Sequence, residues 1–246
     1  MPQPTAPGGH RTVSRVIGIL EYVASRPEGA RLAEIADAVQ APKSSTHGFL
    51  RGLLAAGYVS EGTEKQTYQL GWGAHAMLLS QENSLIELTR AVREEMLDRF
   101  NETITLAVRV GDHVVYLESL TPTHAISYQA ATRVRRPLWP TSAGKIFLSH
   151  LPEPEVGRIL LREEAETDLR DVDVELATVR ESGLAFNIGE SQTDVAAVAV
   201  PLAVGGLSAA ISIAGPVGRI EEHLPRIGRT ATEVVRAVDL TTGGAG

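Results

Sequence analysis

Apolar residues in the first sixty positions recur at helical spacing. Over residues 12–26 the positions Val13, Val16, Ile17, Leu20 and Val23 share one face of a helix. Thr12 or Ser14 is available as its cap, and Pro27-Glu28-Gly29 stops it. A second stripe, Leu32, Ile35, Ala36 and Val39, ends in a turn at Gln40-Ala41. Pro42 suits the first position of a new helix, because its missing N–H would be unbonded there anyway. That third helix turns Phe49, Leu50, Leu53 and Leu54 inward and stops at Gly57, which tolerates left-handed backbone. Two short helices joined by a tight turn match a helix-turn-helix. The period then changes to two. Tyr58-Val59, a polar turn over residues 62–66, and Tyr68 with Leu70 describe a hairpin directly behind it, the position of a wing.

Further on, residues 71–82 read as a linker helix with Ala76, Leu78 and Leu79 apolar, followed by a helix over 85–100. Residues 103–110 alternate, turn at Gly111-Asp112, and return through Val114-Val115-Tyr116-Leu117 as a hairpin. A strand is expected near 124–131, before the basic run Arg133-Val-Arg-Arg136. A helix opens at Thr141, and another covers 174–182 up to Gly183. Strands follow at 184–187, 195–201 and 207–214, with Gly205-Gly206 turning the last pair, and an amphipathic helix covers 221–239. Helices flanking an antiparallel sheet make this part an α+β domain. The expected organisation is a winged helix-turn-helix domain over 1–71, a linker helix over 72–83, and a second domain over 84–246.

Composition narrows the class. Apolar residues at 43% and charged residues at 22% describe a soluble globular chain. Without cysteine there is no disulfide, thiolate metal site or cysteine nucleophile, which fits a cytoplasmic location. No apolar run approaches the ~18 residues of a membrane span, and the Pro- and Gly-rich first ten residues lack the core of a signal peptide. The net charge of −7 is unevenly spread. Residues 1–80 hold seven Lys and Arg against six Asp and Glu, and the remainder 16 against 24. The acid therefore lies outside the helix-turn-helix, and a few well-placed cations there suffice for DNA.

The polar face of the third helix carries Lys43, Ser44, Ser45, Thr46, His47 and Arg51, with no acid. Cations serve phosphates, and small donors serve base edges in a major groove. Arg15 on the first helix and Lys65 and Gln66 at the wing tip are within reach of a DNA backbone.

Enzymatic readings fare worse. Ala143-Gly144-Lys145 resembles the end of a phosphate-binding loop, but Trp139 stands where its first glycine belongs and Ile146 replaces the magnesium-binding hydroxyl. Ser142 and Lys145 spell the Ser-x-x-Lys of acylating enzymes, yet neither Ser-Asp-Asn nor Lys-Thr-Gly follows. The seven histidines include no i, i+4 pair, so no metal and no cofactor is expected.

Taken in order, Leu-Ala-Glu-Ile-Ala from 32, Pro-Lys-Ser-Ser-Thr-His from 42, Ala-Gly-Tyr-Val from 56 and Tyr-Gln-Leu-Gly from 68 resemble the IclR (isocitrate lyase regulator) family of bacterial transcription factors. The resemblance continues through Val-Val-Tyr-Leu-Glu-Ser from 114, Pro-Leu-Trp-Pro-Thr-Ser-Ala-Gly-Lys from 137, Val-Arg-Glu-Ser-Gly-Leu-Ala from 179 and Ala-Ala-Ile-Ser-Ile-Ala-Gly-Pro from 209. It implies a GAF-like effector-binding second domain and a regulator that binds a double-stranded DNA operator as a homodimer or dimer of dimers, with no membrane partner. Two positions in the first domain depart from the family. Arg31 replaces the usual Ser or Thr cap, which leaves Glu34 without its capping-box partner, and Gly48 replaces a larger polar residue.

The resemblance also implies a small-molecule pocket. Its matching positions are Tyr128, Arg136, Ser142, Ala143, Asn187, Val195, Ala197, Ser212 and Ala214, although Val195, Ala197 and Ala214 equally suit plain core. The N-terminus of the helix at Ser142 offers free N–H groups and a positive dipole end. Asn187 stands where many members have Asp, and Arg136 where an apolar residue is common; Arg136 either clamps a carboxylate or belongs to the solvated arginine cluster. The expected effector is a small carboxylate or carboxamide, with Tyr128 and Trp139 favouring an aromatic one, and the expected output is control of a catabolic operon. The competing reading is a serine hydrolase-like enzyme using Ser142 with a fused winged helix, and a third is a protein-interaction module.

Overall fold

The computed structural model describes residues 10–62, 66–74, 85–163, 168–204 and 207–238. The chain divides into two compact units, Met1–Glu82 and Asn83–Gly246.

The first unit comprises α1 (Arg11–Ala24), β1 (Ala30–Arg31), α2 (Leu32–Ala38), α3 (Lys43–Ala55), β2 (Val59–Glu61) and β3 (Thr67–Leu70). Ile19 and Val23 of α1, Ile35 of α2, Leu50 of α3 and Val59 of β2 close around Ala30 as its core. Strand β1 was not expected. It pairs Ala30 with Tyr68 and completes a three-stranded sheet in the order β1-β3-β2; two residues are too few to display an alternation. Half of the capping box at α2 survives the departure at Arg31, because the Glu34 carboxylate accepts the Arg31 backbone N–H at 2.7 Å. The reciprocal half is lost, since a guanidinium offers no acceptor. After α3 the backbone passes so close to itself that a Cβ at Gly71 would lie 2.3 Å from the Gly57 carbonyl oxygen. Residues 72–74 are helical; the rest of the expected linker helix, and the turn at 205–206, lie outside the described residues.

In the second unit the helix expected over 85–100 is two, α4 (Leu85–Leu88) and α5 (Arg90–Phe100). They separate at Thr89, whose hydroxyl donates to the Leu85 carbonyl at 2.7 Å. There follow β4 (Thr103–Val110), β5 (His113–Leu120), β6 (Arg135–Pro137), α6 (Ser142–Ser149), α7 (Glu153–Arg162), α8 (Leu169–Ser182), β7 (Ala185–Ile188), β8 (Val195–Val204) and β9 (Leu207–Pro216). The described chain closes with α9 (Val217–Ile220), a 3-10 turn (Glu221–His223) and α10 (Leu224–Ala237). The six strands form one antiparallel sheet in the order β6-β5-β4-β9-β8-β7.

No strand forms over 124–131; the sheet edge is β6, inside the basic run. Side chains bond the backbone of that segment instead. Thr103 donates to the Tyr128 carbonyl at 2.7 Å, Arg219 donates to the Ile126 carbonyl at 2.9 Å, and Asn101 accepts the Thr123 N–H at 2.9 Å. Helix α7 was also missed, because its buried stripe is only Val156, Ile159 and Leu160.

Alternation along the strands makes two unequal faces. Ile104 and Leu106 of β4, Val198 and Val200 of β8, and Ile211 and Ile213 of β9 pack with Val92 and Met96 of α5 and Ile227 and Val234 of α10. The opposite face presents Ala107, Ala199 and Ala210 to Ala143, Ile146 and Phe147 of α6, with α7 and α8 completing that core. Large side chains fill the first face and small ones line the second.

Candidate functional site

On α3 the side chains of Lys43, Ser44, Ser45, His47 and Arg51 are exposed, and the helix sequence contains no acid. Lys43 and Arg51 make no ion pair among the described residues. Thr46 is a correction. It is fully buried, its hydroxyl donates to the Pro42 carbonyl at 3.1 Å, and it belongs to the packed side of α3. Arg15 donates to the Gln40 carbonyl at 3.1 Å and so ties α1 to the turn before α3. Gln66 is exposed with φ 64°, at the start of the return strand of the hairpin, and Lys65 lies outside the described residues.

In the second unit the small-residue face of the sheet becomes the floor of a cavity. Thr105 of β4 pairs with Ser212 of β9, which pairs with Ala199 of β8; in the adjacent row Ala214 pairs with Ala197, and Ala197 with Asn187 of β7. Of the expected positions, Tyr128, Ser142, Asn187, Val195, Ala197, Ser212 and Ala214 line this cavity together. Thr105, Tyr116, Thr141, Ser191 and Gln192 line it as well and were missed. A sequence signal existed for Thr105, which alternates with the core residues Ile104 and Leu106. The cavity measures about 20 Å³, enough for one water-sized body and too small for a metabolite.

Helix α6 forms the roof edge. Thr141 caps it, accepting the Gly144 N–H at 3.0 Å while donating to the Leu138 carbonyl at 2.9 Å. A Cβ at Gly144 would lie 1.8 Å from that carbonyl oxygen, so only glycine allows the turn to pack on the helix. The Ser142 and Ser212 hydroxyl oxygens lie 3.1 Å apart. Asn187 donates to the Pro140 carbonyl at 2.7 Å and accepts from the Ser191 hydroxyl at 3.2 Å.

Behind this wall lies a fully buried cation. Lys145 Nζ sits 2.6 Å from Glu175 and 2.7 Å from Glu190, donates to the Phe186 carbonyl at 2.8 Å, and lies 4.9 Å from the centre of the Trp139 ring. The Ser142–Lys145 pair of the hydrolase reading is not formed; the serine faces Ser212 and the lysine is held by carboxylates. Glu163 accepts the backbone N–H groups of Leu138 and Trp139 at 2.7 and 3.3 Å, anchoring the segment that enters α6. Burial pushes its carboxyl above the ordinary value, and those two N–H groups pull it back.

Two other expectations are corrected. Ala143 is fully buried in the core beside the cavity, because the second position of α6 faces the sheet. Arg136 is neither a clamp in the cavity wall nor simply solvated. As the central residue of edge strand β6 it pairs with Val114, and its guanidinium lies 5.6 Å from the centre of the Tyr116 ring. Its Nε is buried without a hydrogen-bond partner among the described residues.

Among the described residues no helix is long and apolar enough to cross a membrane, and no group of three or more His, Cys, Asp or Glu is gathered for a metal. Comparison with known proteins bears on both units. Residues 12–62 match the IclR helix-turn-helix domain, and residues 77–240 match the C-terminal domain of bacterial IclR transcriptional regulators. The transcriptional repressor IclR of Escherichia coli K12 is 28% identical, the alignment covering 98% of this chain and 93% of the repressor. An IclR transcriptional regulator of Alicyclobacillus acidocaldarius shares the fold with a TM-score of 0.73 at 21% identity, over 93% of this chain and 96% of that one. An IclR homologue of Microbacterium hydrocarbonoxydans, solved in complex with 4-hydroxybenzoate, does so with a TM-score of 0.68 at 23% identity, over 92% and 100%. The chain belongs to the IclR family of bacterial transcriptional regulators, joining that family's helix-turn-helix domain to its C-terminal domain.

Proposed function

We propose that this regulator reads a pseudo-palindromic operator as a dimer or dimer of dimers, and that a small carboxylate or carboxamide, preferably aromatic, releases or strengthens that binding to control a catabolic operon. The reading head takes residues 1–71, a linker helix 72–83, and the effector domain 84–246. Lys43, Ser44, Ser45, His47 and Arg51 meet the major groove. Arg15, Lys65 and Gln66 are assigned to the flanking backbone.

The observation that carries the DNA reading is the acid-free face of α3, where neither cation makes an ion pair among the described residues. Val13 and Ile17, one turn apart on α1 and about half exposed at 54% and 47%, support an apolar contact between two copies. Two-fold symmetry then fits half-sites a helical turn, or a multiple of it, apart.

For the effector, the carrying observation is a cavity of hydroxyls and small side chains beside the N-terminus of α6. The first-turn N–H groups of a helix lack intrahelical partners and favour an anion. The ligand of the Microbacterium homologue, an aromatic acid, supports the same class. Because the cavity holds only about 20 Å³, a ligand must widen it, and that supplies the differential affinity without which no ligand shifts a conformational equilibrium.

The test is a gel shift with the chain's own promoter region across a salt series, with and without benzoate, 4-hydroxybenzoate and benzamide, joined to calorimetry. Binding that weakens steeply with salt and changes with one of these compounds is expected; salt-insensitive binding, or none, refutes the DNA reading. Sedimentation should give a dimer or tetramer, and Ile17→Glu should shift it toward monomer. Asn187→Asp should weaken the best acid by about tenfold or more, through a new charge in an uncharged wall.

A further inference from the structure

Twelve residues line the cavity beside the N-terminus of α6, and none of them carries a formal charge. A second charge on a ligand would have to be buried there without a partner, at a large desolvation cost. The positive end of the α6 dipole, equivalent to about half an elementary charge, favours one negative charge and falls well short of two.

Most of the wall's polar groups are already bonded to one another. Ser142 and Ser212 share a contact; Thr141 serves Gly144 and Leu138; Asn187 serves Pro140 and Ser191. Tyr116 is different. It is only 7% exposed, it lines the cavity, and its hydroxyl makes no hydrogen bond among the described residues. The neighbouring Tyr128 is only half-buried, so water can reach it.

Tyr116 is also held in place. Its backbone pairs with Ala107, its carbonyl accepts the Arg133 N–H at 2.7 Å, and the Arg136 guanidinium stacks on its ring. A hydroxyl held in place at the cavity wall and bonded to no protein group among the described residues is open to a hydrogen bond from a ligand atom.

We propose that Tyr116 is the specificity-determining residue of the effector site, and that the effector is a singly charged acid or its amide bearing a second polar group, a hydroxyl or carbonyl, that bonds the Tyr116 phenol. The proposal rests on the effector reading given above. Burial pushes the phenol up to about 12, against the opposing pull of Arg136, so it remains a neutral O–H donor at any physiological pH. The residue thus discriminates by hydrogen bonding, and the uncharged wall discriminates by charge count.

Calorimetry on the full chain tests this with benzoate, 3-hydroxybenzoate, 4-hydroxybenzoate and terephthalate as probes. The wild type should bind one hydroxybenzoate about tenfold more tightly than benzoate, the worth of one net hydrogen bond. Terephthalate should bind at least tenfold more weakly than benzoate. In Tyr116→Phe the two monoacids should bind alike, with benzoate within twofold of wild type, whereas Tyr128→Phe should keep the preference. Persistence of the preference in Tyr116→Phe, its absence from the wild type, or tight binding of terephthalate would overturn the proposal while leaving the effector reading intact. If no probe binds the wild type, the effector reading itself fails and the proposal with it. The wild-type arms decide the matter even if Tyr116→Phe does not fold.

Discussion

The two units of this regulator treat polar side chains in opposite ways. On α3 Lys43, Arg51, Ser44 and Ser45 stand exposed, the two cations with no ion pair among the described residues, over a core of a few residues centred on Ile35 and Leu50. In the second unit the polar groups of the site are uncharged and most are bonded within the wall, Tyr116 excepted, and the buried Lys145 is held by two carboxylates. The difference follows from the ligands the two sites are proposed to take. A duplex is a large polyanion met at the surface, where free cations release its counterions. A small acid must be taken out of water, and a cavity with fixed charges of its own would reject most ligands or bind them only in pairs of opposite sign.

The largest effect expected from breaking this contrast is at Lys145. Lys145→Met leaves Glu175 and Glu190 facing each other beside an unsatisfied Phe186 carbonyl. It should destabilise the second unit by about 3 kcal/mol, the lower end for a broken buried pair because both carboxylates keep some water. Urea unfolding followed by circular dichroism measures it, and an unchanged midpoint would mean that the cluster contributes little.

On α3 the outcome should be reversed in kind. Lys43→Ala and Arg51→Ala should each cost roughly 1–3 kcal/mol of operator affinity where they read a base, with the unfolding midpoint unmoved. Full-strength binding by the double variant would remove α3 as the reading element.

Thr46, on the packed side of the same helix, sharpens the comparison by standing with the second class. Thr46→Val deletes one hydroxyl bonded to Pro42 and should cost about 1 kcal/mol of stability, with operator affinity unchanged in a gel shift.

The smallest effect is a titration. Of the chain's five tyrosines, Tyr116 should ionise last, near pH 12, as followed by tyrosinate absorbance. Its pKa is raised on folding, so its contribution to stability is fully present below the ordinary value near 10 and is lost as pH rises through about 12. Tyr116→Phe should remove that last step and extend stability at alkaline pH.

The helix-turn-helix was legible because its signals are local. The stripe of α2, the Pro42 boundary and the Gly57 stop all act within a few residues. The same locality explains what was misread there. Thr46 was grouped with the polar face by its chemistry, although it lies four residues from Leu50, on the same packed side of α3. Strand β1 exists only because Tyr68, far along the chain, is there to pair with Ala30.

In the second unit the alternation of β4, β8 and β9 was readable, and so were seven residues that now line one cavity. The segment 124–131 was misread as a strand because its β-like composition gives no sign that Thr103 and Arg219 would take its backbone carbonyls. Tyr116 and Thr105 were passed over because alternation tells which residues share a face, and not which face is left open.

The sequence by itself determined most of the element types, the exposed polar face of α3 and the family, since periodicity, capping and ordered motifs are properties of neighbouring residues. Only the tertiary structure decided which buried side chains meet. The small-residue rows of three strands become a cavity floor when α6 is laid across them, and Arg136 reaches the Tyr116 ring only when β6 pairs with β5. Lys145, one turn into its helix, is drawn to carboxylates 30 and 45 positions later. Such contacts depend on strand order and helix placement, which no local pattern encodes, because the free energy that selects them is shared among residues distant in the chain.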